Sequence, residues 1–281
     1  MPMSLTDDQV ARYARHLILR EVGGAGQKKL LDARVLIVGA GGLGSPALLY
    51  LSAAGVGTIG LVDDDHVALS NLQRQIAHTT QDVGRLKVES ASDHARAINP
   101  DTHINRHATR LGPSNALDLV KNYDIVLDGS DNFATRFLVN DACYLAQRTL
   151  VSAAVGQFDG QLAVFKAHER RDGERVYPCY RCLYPDAPPP GSVPSCTEAG
   201  ILGALTGVMG TLQALEALKE ILQIGETMAG RLTLYDGLGA NFRTVRVKPD
   251  PECALCGSKP TITDLGVHAA AESAVCESPP A

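Results

Sequence analysis

The chain has 281 residues, 45% of them hydrophobic and 20% charged, with a formal net charge of −5. That length accommodates one large domain or two small ones around a buried core. The acidic balance argues against a general binder of nucleic acid or of an anionic membrane surface, since both need a basic footprint, and leaves room only for local basic clusters. No apolar run reaches the roughly 18 residues of a membrane span. The polar, acidic opening MPMSLTDDQV has no signal-peptide layout, so a cytoplasmic location without membrane attachment is expected. The seven cysteines, in a reducing compartment, read as metal ligands, reactive thiols or core residues. With no tryptophan and 5% aromatics, a stacking platform for single-stranded nucleic acid is not expected.

Thr6 and Gln9 fit a capping box, and Val10, Tyr13, Leu17 and Ile18 recur at helical spacing. GGAG at 23–26 is read as an interruption before a short second helix, QKKLLDA. RVLIV is then a buried strand, GAGGLG a glycine turn, SPALLYLSAAG a helix and TIGLV a second strand. That succession is a βαβ unit of a parallel sheet. Gly84–Ile98 reads as a helix stopped by Asn99-Pro100, and Asn115–Lys121 as a shorter one. YDIVLD (123–128) is a strand running into the polar turn GSDN. A helix (FATRFLVNDACYLAQ), a strand (TLVSAAV) and a further strand (QLAVFKA), able to run antiparallel, follow. Near residue 168 the chain turns polar and proline-rich, a long loop of the kind used for function. Residues 201–222 form a long apolar helix, and RLTLYDG with NFRTVRV a hairpin. Residues 258–281, rich in Ala, Ser and Pro, read as a disordered tail.

Several residue groups in this frame have chemical meaning. In G39-A-G41-G42-L-G44 the glycines let backbone approach a phosphate at a helix N-terminus, and Asp63 ends the next strand, where an acid accepts a ribose hydroxyl. The pattern supports an adenosine-type nucleotide without choosing among NAD, FAD and ATP. Asn71, Arg74, Lys87 and Asp131 converge on the same strand ends, where open α/β sheets bind ligands. A dinucleotide does not need those charges, whereas a triphosphate attacked by an anion does. Two unit charges about 4 Å apart repel by roughly 4 kcal/mol at an effective dielectric near 20, which cations and Mg²⁺ offset. The plain alternative makes Arg74 and Lys87 solvated surface charges. Cys179, Cys182, Cys253 and Cys256 form two CxxC pairs, the ligand set of a structural zinc. Cys196, just before the long helix, is either a nucleophile activated by its position or an incidental loop thiol. Arg12, Arg15 and His16 make a polar edge on the first helix, a surface feature or an arginine delivered to a phosphate site in a neighbouring subunit.

The stretches R-Y-A-R-H-L-I-L, V-L-I-V-G-A-G-G-L-G, L-S-N-L-Q-R-Q, V-G-R-L-K-V-E-S, D-G-S-D-N, C-Y-R-C, S-C-T-E-A-G and C-A-L-C-G together resemble the MoeB/ThiF family. These are bacterial relatives of ubiquitin-activating enzymes, and the likeness runs from about Thr6 to Gly257. It is strongest to members that serve molybdopterin synthesis. The resemblance implies a homodimer that uses Mg-ATP to adenylate the C-terminal Gly-Gly carboxylate of a small ubiquitin-like sulfur carrier. A separate sulfur donor then acts on the adenylate. It further implies that Gly39, Gly41, Gly42 and Gly44 hold the nucleotide and Asp63 the ribose. Asn71, Arg74 and Lys87 would grip the phosphates, Asp131 would position Mg²⁺, and Asp65 would help near the metal. Arg15 would reach into the other subunit, and the four paired cysteines would hold Zn²⁺. Cys196 matches a cysteine that some members link to the carrier.

The expected architecture is a Rossmann-like, mostly parallel α/β sheet with flanking helices, an antiparallel C-terminal extension and a zinc site. It comprises a single adenylation domain over 1–257, with a nucleotide-binding half at about 30–167 and a zinc and carrier half at about 168–257. The chain leaves no room for the rhodanese-like domain of sulfur-transferring relatives, so adenylation without sulfur transfer is expected. The competing readings are the same chemistry on a thiamine-pathway or other carrier, a nicotinamide-dependent dehydrogenase, and a non-catalytic dimeric scaffold.

Overall fold

The computed structural model describes residues 5–189 and 199–269. Its centre is an eight-stranded sheet in the order β10-β9-β6-β5-β4-β1-β2-β3. The five strands β1 (Arg34–Val38), β2 (Thr58–Val62), β3 (His103–His107), β4 (Ile125–Asp128) and β5 (Thr149–Val155) run parallel. Then β6 (Asp159–Phe165), β9 (Arg231–Asp236) and β10 (Asn241–Arg246) continue the sheet antiparallel. A separate two-stranded ribbon, β7 (Arg170–Arg171) with β8 (Glu174–Arg175), lies between them in sequence.

The parallel strands read as unbroken apolar runs because helices cover both faces. Alternate residues of β1 divide between two cores. Val35 and Ile37 pack with α4 (Gly44–Ala54), α5 (Lys87–Ile98) and α9 (Gly203–Leu222). Leu36 and Val38 pack with α6 (Ala116–Lys121) and α7 (Phe133–Leu145). Chain order reverses between β1 and β4, so the carboxyl ends of these neighbours open a crevice. Among the described residues, no helix is long and apolar enough to cross a membrane.

The amino-terminal segment differs from expectation in two ways. It forms two short helices, α1 (Asp7–Arg12) with its Thr6–Gln9 capping box and α2 (Ala14–Leu17). The glycines at 23–26 do not interrupt a helix but open one, α3 (Gly23–Asp32). Gly26 there lies against Val22 and Leu222, where an added Cβ would sit 3.0 and 3.1 Å from their methyl carbons. Further on, α5 begins at Lys87 rather than Gly84, because Gly84 donates its N–H to Val67 and His66 bridges to Leu86. Residues 258–269, expected within the tail, pack on the body through buried Leu265 and a His268–Asp141 hydrogen bond.

Candidate nucleotide crevice and cysteine cluster

The crevice at the β1/β4 switch encloses about 830 Å³, a volume typical of small-molecule sites. Its roof is the glycine turn after β1. Gly39 has φ +93°, and a Cβ at Gly44 would stand 1.8 Å from the Gly39 carbonyl oxygen, so the chain reverses here only without side chains. Asp63, at the end of β2, accepts the Ala40 N–H at 2.8 Å on one oxygen and the Asp65 N–H at 2.9 Å on the other. Part of its cost at a strand end is thereby offset by charge-assisted bonds that fix the turn. Asp65 accepts Lys87 Nζ at 2.8 Å, with the lysine side chain 8% exposed and the aspartate 69%. Lys87 thus points into the crevice mouth from the first turn of α5, and Asp64 lines the same mouth.

Of the residues singled out in the sequence, Gly39, Gly41, Gly42, Asp63, Asp65, Arg74, Lys87 and Asp131 all line this crevice. Gly44 lies behind it, buried in α4. Asn71 does not line it; its side-chain oxygen accepts the Ala68 N–H at 3.1 Å within a 3-10 turn, Leu69–Asn71, that leads to Arg74. Arg74 is held by a bond from its guanidinium to the Ser70 carbonyl at 3.2 Å. Arg15 is at the opposite end of the sheet. Its neighbour Arg12 donates to the Ile98 carbonyl, and Tyr13 accepts from Asn99, both at the C-terminal end of α5. Arg15 is not among the residues that line the crevice. Cys196 lies outside the described residues.

The floor contains a network built on Asp128, of the D-G-S-D-N stretch, whose Arg136 and Ser152 partners the sequence does not single out. Asp128, fully buried at the end of β4, accepts the Ser130 N–H (3.0 Å), the Ser130 hydroxyl (2.6 Å), the Ser152 hydroxyl (2.9 Å) and Arg136 Nε (3.3 Å). Arg136 donates also to the Ser130 carbonyl at 3.0 Å. Burial alone would lower the Arg136 pKa, but Asp128 and Tyr180 keep it raised. This pair fixes the G129-S130-D131-N132 turn, from which Asn132 caps α7 by accepting the Thr135 N–H. Asp131 is left exposed on the crevice side.

The far half of the crevice is formed by β5, β6 and α8 (Tyr180–Leu183) through Ala154, Gln161, Tyr180 and Tyr184. β5 continues past the end of β4: Asp128 pairs with Ser152, while Ala153 to Val155 pair with β6 alone. Among the described residues, one edge of that stretch therefore has no neighbouring strand, beside the cavity.

Cys179, Cys182, Cys253 and Cys256 bring their sulfurs within 4.8 Å of one another. The closest pairs are 3.9 Å (179–182), 3.6 Å (179–253) and 3.4 Å (182–256). A tetrahedron with Zn–S near 2.3 Å has S···S edges of about 3.8 Å, so the four thiols fit zinc. The Asp250 N–H also donates to the Cys182 sulfur at 3.3 Å, as expected beside a thiolate. The two residues between the first cysteines are fixed on α7. Tyr180 donates its N–H to Asn140 at 2.8 Å and stacks edge-on with Phe137, and Arg181 forms a double bond pattern to buried Asp141. Burial opposes ionisation of Asp141, yet His268 and Arg181 hold its pKa low. Cys143 is a different kind of thiol, a core residue whose pKa burial pushes well up.

Comparisons with known proteins identify the relatives of this chain. The ThiF family is matched over residues 13–255. The sulfur carrier protein adenylyltransferase of Thermus thermophilus is 51% identical over 263 residues, covering 94% of this chain and 96% of that protein. The probable adenylyltransferase/sulfurtransferase MoeZ of Mycobacterium tuberculosis is 52% identical over 262 residues, and the match spans 93% of this chain but 64% of that one. Among solved structures, E. coli MccB with MccA-N7isoASN superposes with a TM-score of 0.75 over 88% of this chain and 74% of that one, at 22% identity, which is a likeness of fold. The chain belongs to the ThiF family.

Proposed function

We propose that the crevice binds Mg-ATP and that the protein adenylates the C-terminal carboxylate of a ubiquitin-like sulfur carrier ending in Gly-Gly. The observation that carries this reading is the gathering of Lys87, Arg74 and Asp131 around one glycine turn, beside an empty-edged strand. Asp63 takes the ribose and the turn takes the phosphates. Lys87 and Arg74 offset the charge of a triphosphate approached by a carboxylate. Mg²⁺, held by Asp131, would supply further counter-charge. An extended tail can lie along the free edge of Ala153–Val155, using main-chain hydrogen bonds. The carboxylate oxygen bonds to the α-phosphorus, the bond from that phosphorus to the bridging oxygen breaks, and pyrophosphate departs with the electron pair.

The relatives named as adenylyltransferases support the activity, and the motifs favour a carrier for molybdopterin synthesis. Zinc in the four-cysteine cluster ties residues 179–182 to 253–256. The remote placement of Arg15 supports a homodimer in which it serves the partner's crevice. A cytoplasmic location, a single domain over 1–257 and a separate sulfur donor complete the proposal. The test is turnover of Arg74→Ala and Asp131→Ala. Each is expected to lose at least about a hundredfold, the scale of a lost transition-state contact, and full activity in either would place the site elsewhere.

A further inference from the structure

His78 is 6% exposed and lies behind the glycine turn, outside the crevice lining. Its Nε2 is 3.1 Å from the Ala40 carbonyl oxygen and its Nδ1 is 2.9 Å from the Ser90 hydroxyl. A carbonyl can only accept, so Nε2 holds the proton. Nδ1 then accepts from Ser90, a fully buried residue of α5. Burial lowers the His78 pKa, which favours this neutral ring. Ser90 also bonds Asp82, whose carboxylate accepts besides from the Thr79 N–H (2.8 Å), the Thr79 hydroxyl (2.7 Å) and Arg85 (2.7 Å). The ring is thus held in one orientation, with Nε2 donating to the Ala40 carbonyl.

What that orientation does follows from peptide geometry. In a trans peptide the C=O and the following N–H point in opposite directions. With the Ala40 carbonyl directed inward to His78, the Gly41 N–H is directed outward, and Gly41 lines the crevice. Among the described residues, neither the Gly41 nor the Gly42 N–H donates to a protein group. Glycine on the C-terminal side of this peptide removes the steric barrier to its reversal. Reversed, it would present a carbonyl oxygen to a phosphate. Asp63 fixes the preceding peptide through the Ala40 N–H, while the Ala40 carbonyl accepts from His78 at 3.1 Å and, at the longer distance of 3.5 Å, from the Ser45 hydroxyl.

We propose that His78 is a positioning residue for the triphosphate, acting through the Ala40–Gly41 peptide to aim the Gly41 N–H at a phosphate oxygen. The inference rests on the nucleotide reading above. It assigns His78 no contact with the ligand and predicts selectivity for the phosphate part over the nucleoside part, which Asp63 holds.

The experiment measures the affinities of the full-length protein for ATP and for adenosine by calorimetry, alongside thermal unfolding. His78→Leu removes the donor while filling the space, and His78→Gln retains an N–H donor. His78→Leu is expected to weaken ATP by about tenfold or more, as for loss of one hydrogen bond to a charged group. Adenosine binding should change less than about twofold, and His78→Gln should recover most of the ATP affinity. Should His78→Leu fail to fold, Ser90→Ala tests the same chain, with a severalfold loss for ATP alone. Unchanged ATP affinity in a folded variant, or equal losses for ATP and adenosine, would overturn the proposal. Wild-type protein that bound no ATP would instead defeat the nucleotide reading, and this inference with it.

Discussion

Removing the Asp128 carboxylate should be among the most destabilising single changes in this fold. In Asp128→Ala, Arg136 stays in place with its side chain 9% exposed and loses its buried carboxylate partner. The Ser130 and Ser152 hydroxyls and the Ser130 N–H lose their acceptor as well. Breaking one half of a buried ion pair costs about 3–5 kcal/mol. For a chain of this size that corresponds to a fall in Tm of roughly 10 °C, within a range of about 6–20 °C. Adding Arg136→Met removes the stranded charge and should return a large part of the loss, since replacing both partners by apolar groups is far less costly. Asp131→Ala, three residues on and exposed, should change stability by less than about 0.5 kcal/mol. Urea melts of wild type, Asp128→Ala, Arg136→Met and the double variant give the cycle directly, with Asp131→Ala as the control. An Asp128→Ala loss below about 1 kcal/mol, or a double variant no more stable than the single, would refute the view that this pair supports the turn.

Three further outcomes are expected. Mixing Arg15→Ala with Asp131→Ala protein, each inactive alone, should restore turnover by forming dimers with one intact crevice; no restoration after subunit exchange would rule out action across subunits. Purified protein should contain one zinc per chain. Cys253→Ser should lose that metal and unfold the 179–182 segment, exposing Tyr180, because structural zinc binding contributes on the order of 10 kcal/mol to local folding; zinc-free protein of normal Tm would contradict this. Burial lowers the pKa of His78, His107 and His168. The unfolded chain, with histidines near 6.5, then binds more protons than the native one as pH falls below about 6.5. Their stabilisation is complete above that pH and lost as pH drops through the lowered native values. Melts from about pH 8 to about pH 5 should show declining Tm, and a flat profile would oppose it.

Much of the nucleotide half could be read from local pattern. β1, the glycine turn, α4 and β2 follow one another with apolar runs and glycines at fixed offsets, and local chemistry alone determines that geometry. β3 escaped because HINRH is polar: Ile104 is buried, but register with β2, rather than its own residues, makes it a strand. The GGAG stretch misled because Gly26 answers to a helix contact with Leu222, nearly two hundred residues away, instead of to a turn. Asp65 and Lys87 were each visible, but their pairing required the fold. Asp128, Arg136 and Ser152 come from β4, α7 and β5 and meet only when the sheet forms. His78 follows the LSNLQRQ motif without being part of it, and its role depends on a carbonyl thirty-eight positions earlier.

The central claim is carboxylate adenylation at the β1/β4 crevice. ATP–pyrophosphate exchange with Mg²⁺ tests it most directly, run against a panel of small carriers ending in Gly-Gly and versions lacking those two residues. Exchange with a full-length carrier, absent with its truncated form and lost in Arg74→Ala, is the result this account predicts. Exchange indifferent to truncation, or none with any carrier while ATP binds, would contradict it.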